Sequence, residues 1–233
     1  MSTFKNIDTL LLAFILLISL CFSCNFGQKE STKKNIIQVD YYVRYLQSDK
    51  QLKTNISFAE VDSTKRIMPK KMEEVLFANN VLSGKKVGNQ YRYQLEKQMP
   101  FAESYSLTYR QNQIEIDSVS IRMQPINDFA IKKGKVSKTA GTNITFEGTL
   151  ASTEETLVLL FSDRNNKTAT IKIDNHSVNS PITILPEQVS HLTVGTGNVY
   201  IVKKQTNRIT SEGVEWTGLT EYYSTVKIIE IIE

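Results

Sequence analysis

The chain reads as all-β, with two tandem β-sandwich modules behind an exported leader. Three observations predict this. Apolar and polar residues alternate with period two in one run after another: Ile37, Val39, Tyr41, Val43 and Tyr45 face one way, and Gln38, Asp40, Tyr42 and Arg44 the other. That is the pattern of a half-buried strand rich in β-branched and aromatic residues. Such runs recur about every ten residues and are divided by polar turns, as sandwich strands are. Helical periodicity beyond the leader is confined to one short ambiguous stretch.

The leader comes first. Met1–Thr9 is polar and carries Lys5, Leu10–Leu20 is an eleven-residue apolar run, and small Ser23 stands directly before Cys24. A cationic start, an apolar core of this length and a small residue at its end describe a secretory signal peptide, residues 1–23. The run is shorter than the roughly 20 apolar residues that span a bilayer. With a cysteine at the cut site, the segment resembles the signal of bacterial lipoproteins. The resemblance implies that Cys24 is acylated (palmitate among the attached chains) and becomes the first mature residue. Cys21 stands where an aliphatic residue is usual in that family. Cleavage without lipid and an uncleaved anchor are the alternatives to lipidation. Asn25 follows the cysteine rather than Asp, which by the same resemblance favours the outer membrane, facing the periplasm or the surface.

Both cysteines lie within the first 24 residues, so the folded part has no disulfide, no thiolate zinc site and no cysteine nucleophile. It must be held by burial and strand pairing. The net charge of +4 is spread out. The short basic clusters at Lys65-Arg66, Lys70-Lys71, Lys85-Lys86 and Lys132–Lys138 are those of solvated loops, with attraction to anionic headgroups or glycans as the functional alternative. Nucleic acid is not an expected partner.

Residues 24–35, with the polar stretch Gln28–Asn35, form a tether between lipid and fold. The first module spans 36–125. Its strands begin at Ile37–Tyr45 and continue in Ile56–Val61, where the phase changes between Phe58 and Ala59. Pro69–Asn80 has weak helical spacing at Met72, Val75 and Leu76, but Val75-Leu76-Phe77-Ala78 is favoured as a strand, with a turn bracketed by Gly84 and Gly88. Tyr91–Leu95 and Tyr105–Tyr109 alternate. Ile114 and Ile116 alternate until the phase slips at Asp117-Ser118, ahead of Val119, Ile121 and Met123. A slip turns every later side chain over, so a bulge or turn belongs there.

Pro125 marks a break, and the second module spans 126–233. Ile144, Phe146 and, after Gly148, Leu150 alternate. Leu157–Phe161 is continuously apolar, as suits a central strand covered on both faces. Asp163–Lys167 is a turn, Ala169, Ile171 and Ile173 alternate, and strands follow at Pro181–Leu185, Asn198–Lys203 and Tyr222–Ile232. The steps Ser180-Pro181-Ile182-Thr183-Ile184, Val189-Ser190-His191-Leu192, Gly195 and Val199-Tyr200-Ile201-Val202-Lys203 resemble the end of immunoglobulin-like domains in uncharacterised lipoproteins of Bacteroidota. The resemblance implies an immunoglobulin-like sandwich and brings no catalytic residue. Asp62-Ser63-Thr64 and Asp117-Ser118-Val119 resemble the O-glycosylation triplets of the same bacteria.

Catalytic chemistry is sparse. His176, beside Asp174, and His191 are the only two histidines. No Gly-x-Ser-x-Gly elbow accompanies them. Asp163, Asp174 and His176 match no recognised metal loop. Glu73-Glu74 and Glu154-Glu155 are neighbours, and neighbouring strand positions face opposite sides. No phosphate-cradling glycine loop occurs. No cofactor or metal is expected, and the chain is not read as an enzyme.

Gln205–Thr220 stands out as a long stretch between the last strands, holding Gly213, Gly218 and the only tryptophan, Trp216. As a mobile loop it is a candidate contact site for a protein or a sugar ring. As a core plug, or a small strand pair, it is structural. The expected role is a lipid-anchored, non-catalytic binding or scaffold module of the envelope. The alternative is a glycan-binding accessory of a surface uptake system, whose mark is Trp216 coplanar at a sandwich tip with Tyr222 or Tyr42.

Overall fold

Alternation of the kind seen in Ile36–Leu46 does set the secondary structure. In the computed structural model, residues 35–112, 114–126, 128–147, 154–174, 181–211 and 213–233 are described. The leader with Cys24, almost all of the tether, Gly148, Leu150 and His176 lie outside the described residues. Among the described residues the strands are β1 (Ile36–Leu46), β2 (Gln51–Val61), β3 (Ile67–Pro69), β4 (Glu74–Phe77), β5 (Asn80–Leu82), β6 (Gly84–Val87), β7 (Gln90–Gln98), β8 (Ser104–Gln111) and β9 (Ile114–Arg122). They continue with β10 (Asp128–Ile131), β11 (Lys135–Ser137), β12 (Thr142–Glu147), β13 (Glu155–Asp163), β14 (Thr168–Asp174), β15 (Ile182–Ile184), β16 (Gly195–Ser211), β17 (Val214–Tyr223) and β18 (Lys227–Ile232). A 3-10 turn at Lys132–Gly134 and a single helical turn, α1 (Pro186–Val189), complete them. The protein is all-β, with several sheets.

The largest sheet runs in the order β11-β18-β16-β17-β1-β2-β7-β6, with β14 and β13 joined to it through β16 and β3 through β2. β16 organises it. On one edge its residues 197–205 pair with β13. On the other edge its first residues pair with β18 and its last ten with β17. The crossover from β17 to β18 is pinned by Ser224, whose backbone N–H donates to the Ile201 carbonyl at 3.0 Å and whose Oγ accepts from Ile201 N at 3.0 Å.

β1 lies parallel to β17, in register from Ile37↔Val214 to Leu46↔Tyr223. The modules expected at 36–125 and 126–233 therefore share this sheet, and residues 35–233 form one compact unit. A four-stranded sheet (β5-β4-β8-β9) and a three-stranded sheet (β10-β12-β15) contribute to the same hydrophobic cluster as the inner face of the large sheet. Aromatic rings tie the layers: Phe58 on β2 meets Tyr109 on β8 at 5.2 Å, and Tyr109 meets Trp216 on β17 at 5.8 Å.

Val75–Phe77 is a strand, as favoured from sequence. Ala78 and Asn79 form a two-residue hairpin turn with φ of 48° and 61°, which suits the right-handed twist of the strands it joins. The slip near Asp117 is a bulge: Tyr109 pairs with Asp117 but Arg110 with Glu115, so Ile116 is the extra residue. The phase change at Phe58/Ala59 leaves β1–β2 pairing unbroken. Gly84 opens β6, and the turn that follows holds Gly88 at φ 58°.

Candidate functional site

The stretch 205–220 is a strand hairpin and not a loop. β16 continues to Ser211, the chain turns at Gly213 (φ 80°), and β17 starts at Val214. Trp216 is 2% exposed and its Nε1–H donates to Asp117 Oδ2 at 3.2 Å. Gly218 lies inside β17, against the Tyr41 ring. The binding-loop expectation for Trp216, Gly213 and Gly218 is corrected by this geometry: two paired backbones place the indole in the core. Tyr222 is also buried, so of the three aromatics expected together at a tip only Tyr42 reaches an open face.

The other expected residues serve local structure. Asp163 is buried at the end of β13. Burial pushes its carboxyl up, but backbone N–H groups of Thr193, Lys167 and Asn165 prevail and hold it at about 2. Asp174 bonds Lys172 and Thr156. His191 Nε2 lies 3.0 Å from the Thr168 carbonyl. Glu74 pairs with Arg110, and Glu73 accepts from Asn112 N. Asp62 Oδ1 caps its own turn through Thr64 and Arg66 N–H. Among the described residues, no three His, Cys, Asp or Glu side chains gather as a metal set, and no helix is long and apolar enough to cross a membrane.

What the fold does assemble lies on the outer face of the large sheet. Directly paired residues on one face of a sheet stand about 5 Å apart, so pairing in register makes rows across strands. Thr156, Lys204, Glu221, Arg44, Lys53 and Glu96 form one row, one residue from each of β13, β16, β17, β1, β2 and β7. The next row is Thr206, Leu219, Tyr42, Asn55 and Gln94. On its other side stand Val158, Val202, Tyr223 and Leu46.

Glu221 is the hub. It is only 5% exposed although it faces outward. Its Oε1 meets Lys204 Nζ at 2.7 Å, and its Oε2 accepts from the hydroxyls of Tyr42 at 2.6 Å and Tyr223 at 3.0 Å. Burial pushes the carboxyl up, but these bonds together hold it below its usual range. The same contacts push the tyrosines up. Tyr223 rises to about 12, first through burial and then through the Glu221 charge, and Tyr42 moves the same way for the same reasons. The Arg44 guanidinium lies over the Tyr223 ring at 5.7 Å, and Tyr223 stacks with Tyr200 at 6.1 Å.

Beside the hub is a groove of about 360 Å³ bordered by Tyr42, Arg44, Lys53, Asn55, Gln94 and Glu96. Lys53 Nζ is held by Glu96 at 2.8 Å. Arg44 Nε and Asn55 Oδ1 are buried atoms with no hydrogen-bond partner among the described residues. The outer face thus combines a clamped tyrosine, ion pairs and two buried polar atoms without a hydrogen-bond partner among the described residues. Sequence alternation had marked Tyr42 and Arg44 as facing away from the core, but it gave no sign that Glu221 and Lys204 would join them.

No family model and no curated protein matches this chain. Among solved structures, domains 6–7 of the surface layer protein SbsC (monoclinic form) are similar over 82% of this chain and 99% of that one, with 8% identity and a TM-score of 0.29.

Proposed function

We propose that this protein is a non-catalytic binding or scaffold module of the cell envelope, held at the outer membrane through a lipid on Cys24, with the outer face of the large sheet as its working surface. One observation carries the placement of that surface. Strands from both ends of the chain pair in parallel to build Glu221, Tyr42, Tyr223, Lys204 and Arg44 into one clamped cluster on the side opposite the core. Buried polar clusters of this kind rigidify the surface that carries them. Half-exposed tyrosine and arginine are the side chains that dominate recognition surfaces. The leader supplies the anchoring half of the reading.

The test is cell fractionation combined with crosslinking on intact cells. The parent should sediment with membranes and Cys24→Ser should not. Leu219→Glu, on the outer face, should lose the parent's crosslinked partner while keeping its melting temperature. A Cys24→Ser variant that still sediments would overturn the anchor, and a Leu219→Glu variant that keeps the partner would overturn the surface. Protease shaving of intact cells then separates a surface-facing anchor from a periplasmic one.

A further inference from the structure

Resting on the anchored reading, we infer that the end of the fold formed by the start of β1, the β2–β3 turn and the β6–β7 hairpin seats on an anionic lipid leaflet and orients the protein there. Strand pairing brings these pieces together. Ile36 pairs with Val61, Val61 with Ile67 and Ala59 with Pro69. β7 continues along the same edge of β2, with Arg92 against Ser57, and its hairpin with β6 turns at Gly88. Ile67 and Pro69 share a groove with Asn89 and Gln90 of that hairpin.

Charge at this end is unbalanced. Residues 60–92 hold seven cations and four acids. The acids are engaged: Glu60 by Lys70 and Asn35, Asp62 by its own turn, Glu73 by Asn112 N–H and Glu74 by Arg110. Lys65, Arg66, Lys71, Lys85, Lys86 and Arg92 have no ion pair among the described residues, and all but Arg92 are exposed. Asp40 and Glu215, on the adjoining outer-face rows, return two negative charges against these six. A soluble polyanion would need nothing beyond charge. Ile67 is 64% and Val87 46% exposed, however, and both stand next to cations in sequence. Apolar tips among lysine and arginine let a surface bind headgroups and dip below them.

The path of the chain selects the same occupant. Asn35 lies at this end, its side chain donating to Glu60 at 2.8 Å. Cys24 is 11 residues earlier, and Lys33 and Lys34 directly precede Asn35. A chain of that length reaches at most about 40 Å however it is arranged. A lipid on Cys24 therefore confines this end close to the leaflet, at an effective concentration that a weak contact can use. The lipid holds the protein and the cations orient it. Tyr42 then stands about 23 Å along β1 from Asn35, so the outer-face cluster is carried clear of the headgroups.

The test is flotation of the full chain carrying Cys24→Ser, which has no thiol there to acylate. The vesicles are phosphatidylcholine alone and phosphatidylcholine with about one-third phosphatidylglycerol. Every variant carries the same leader, so differences among them read the fold. A cation near an anionic surface strengthens partition about fivefold, so the anionic vesicles should bind about tenfold or more tightly. Salt at about 0.5 M, where the screening length is roughly 4 Å, should abolish the preference. Lys71→Glu/Lys86→Glu should remove it at low salt, while the matched reversal Lys50→Glu/Lys167→Glu, in exposed turns at the far end of the sheet, should keep it. Ile67→Ser should weaken binding to anionic vesicles and leave capture on dextran sulfate unchanged. Equal binding to the two vesicles would overturn the inference without any variant having to fold. Equal loss from the two charge reversals would overturn it by showing net charge alone at work. Capture on dextran sulfate with no loss from Ile67→Ser on vesicles would overturn it in favour of a soluble polyanion. The anchor is read separately, on cell membranes washed at about 0.5 M salt, where the patch lets go. A Cys24→Ser chain that survives the wash yet prefers anionic vesicles sinks the anchor and keeps the patch. A parent that survives it while neither vesicle is preferred keeps the anchor and sinks the patch.

Discussion

Gly218 in β17 lies against the ring of Tyr41 in β1, so close that a methyl group on Gly218 would overlap the ring. The two residues are direct partners in the parallel β1–β17 ladder. Tyr41 is 5% exposed, so the ring has no free side to move toward. Gly218→Ala forces that ring or the strand pairing to shift, and overpacking of this kind costs about 1–3 kcal/mol. The urea midpoint should fall with little change in slope. Trimming the ring in the double variant Gly218→Ala/Tyr41→Leu should recover part of the loss, giving a cycle that is not additive.

Asp117 joins the four-stranded sheet to the β16–β17 hairpin. Its Oδ2 accepts from Ser211 Oγ at 2.5 Å and from Trp216 Nε1 at 3.2 Å, and its Oδ1 accepts from Ser118 N. Asp117→Ala removes the acceptor from three donors at once. Leaving the buried indole N–H unsatisfied costs about 1–3 kcal/mol. The same change should be visible through the single tryptophan, buried at 2% exposure. Parent fluorescence should resist acrylamide quenching, and Asp117→Ala should quench more steeply. An indole as quenchable in the parent as free tryptophan would place it back in a mobile loop.

A buried ion pair sits on the inner face of the large sheet. Lys203 Nζ meets Glu155 Oε2 at 3.4 Å and Gln124 Oε1 at 3.1 Å, with the charged side chains 5% and 2% exposed. Burial pushes the ammonium down and Glu155 pulls it back up. Removing only one charge, as in Glu155→Leu, leaves the other desolvated and should cost about 3–5 kcal/mol. Replacing both, Lys203→Met with Glu155→Leu, should restore stability to the parent level or above it. Chemical denaturation of the three variants reads this directly.

How much of this was legible depends on how local each signal is. β1 declares itself, because Val39, Tyr41, Val43 and Tyr45 all reach the core and alternate with residues that do not. The bulge at Ile116 declares itself too, because a change of phase is a local event in the sequence. The end of β16 does not. Thr206, Arg208, Ile209 and Thr210 are all exposed, so no buried face imposes alternation, and the segment is strand only because β17 pairs with it. The outer-face cluster is the extreme case. Tyr42 and Glu221 meet across 179 residues, through a parallel register fixed by packing at positions such as Tyr41 and Gly218. No window of sequence contains both partners, so alternation could say which way Arg44 and Tyr42 point but not what they would point at.

Alkaline pH tests the tyrosine-rich architecture as a whole. Burial pushes Tyr41 and Tyr222 up to about 12 and, with the Glu221 charge, Tyr223 to about 12. Tyrosine in an unfolded chain titrates near 10. A folded value above the unfolded one means that the neutral hydroxyl is favoured by the fold. This contribution is therefore complete below about pH 10 and is lost as pH rises toward about 12. The melting temperature should hold steady up to about pH 9 and fall through that window, and tyrosinate absorbance should appear together with unfolding rather than ahead of it. Tyr222→Phe keeps the ring that packs at 6.1 Å from Tyr45 and 5.3 Å from Phe101 but has no proton to lose. It should unfold less steeply above pH 10 than the parent. Tyrosinate appearing well below the unfolding transition would mean that these hydroxyls are open to solvent and that the aromatic layers are looser than the packing distances require.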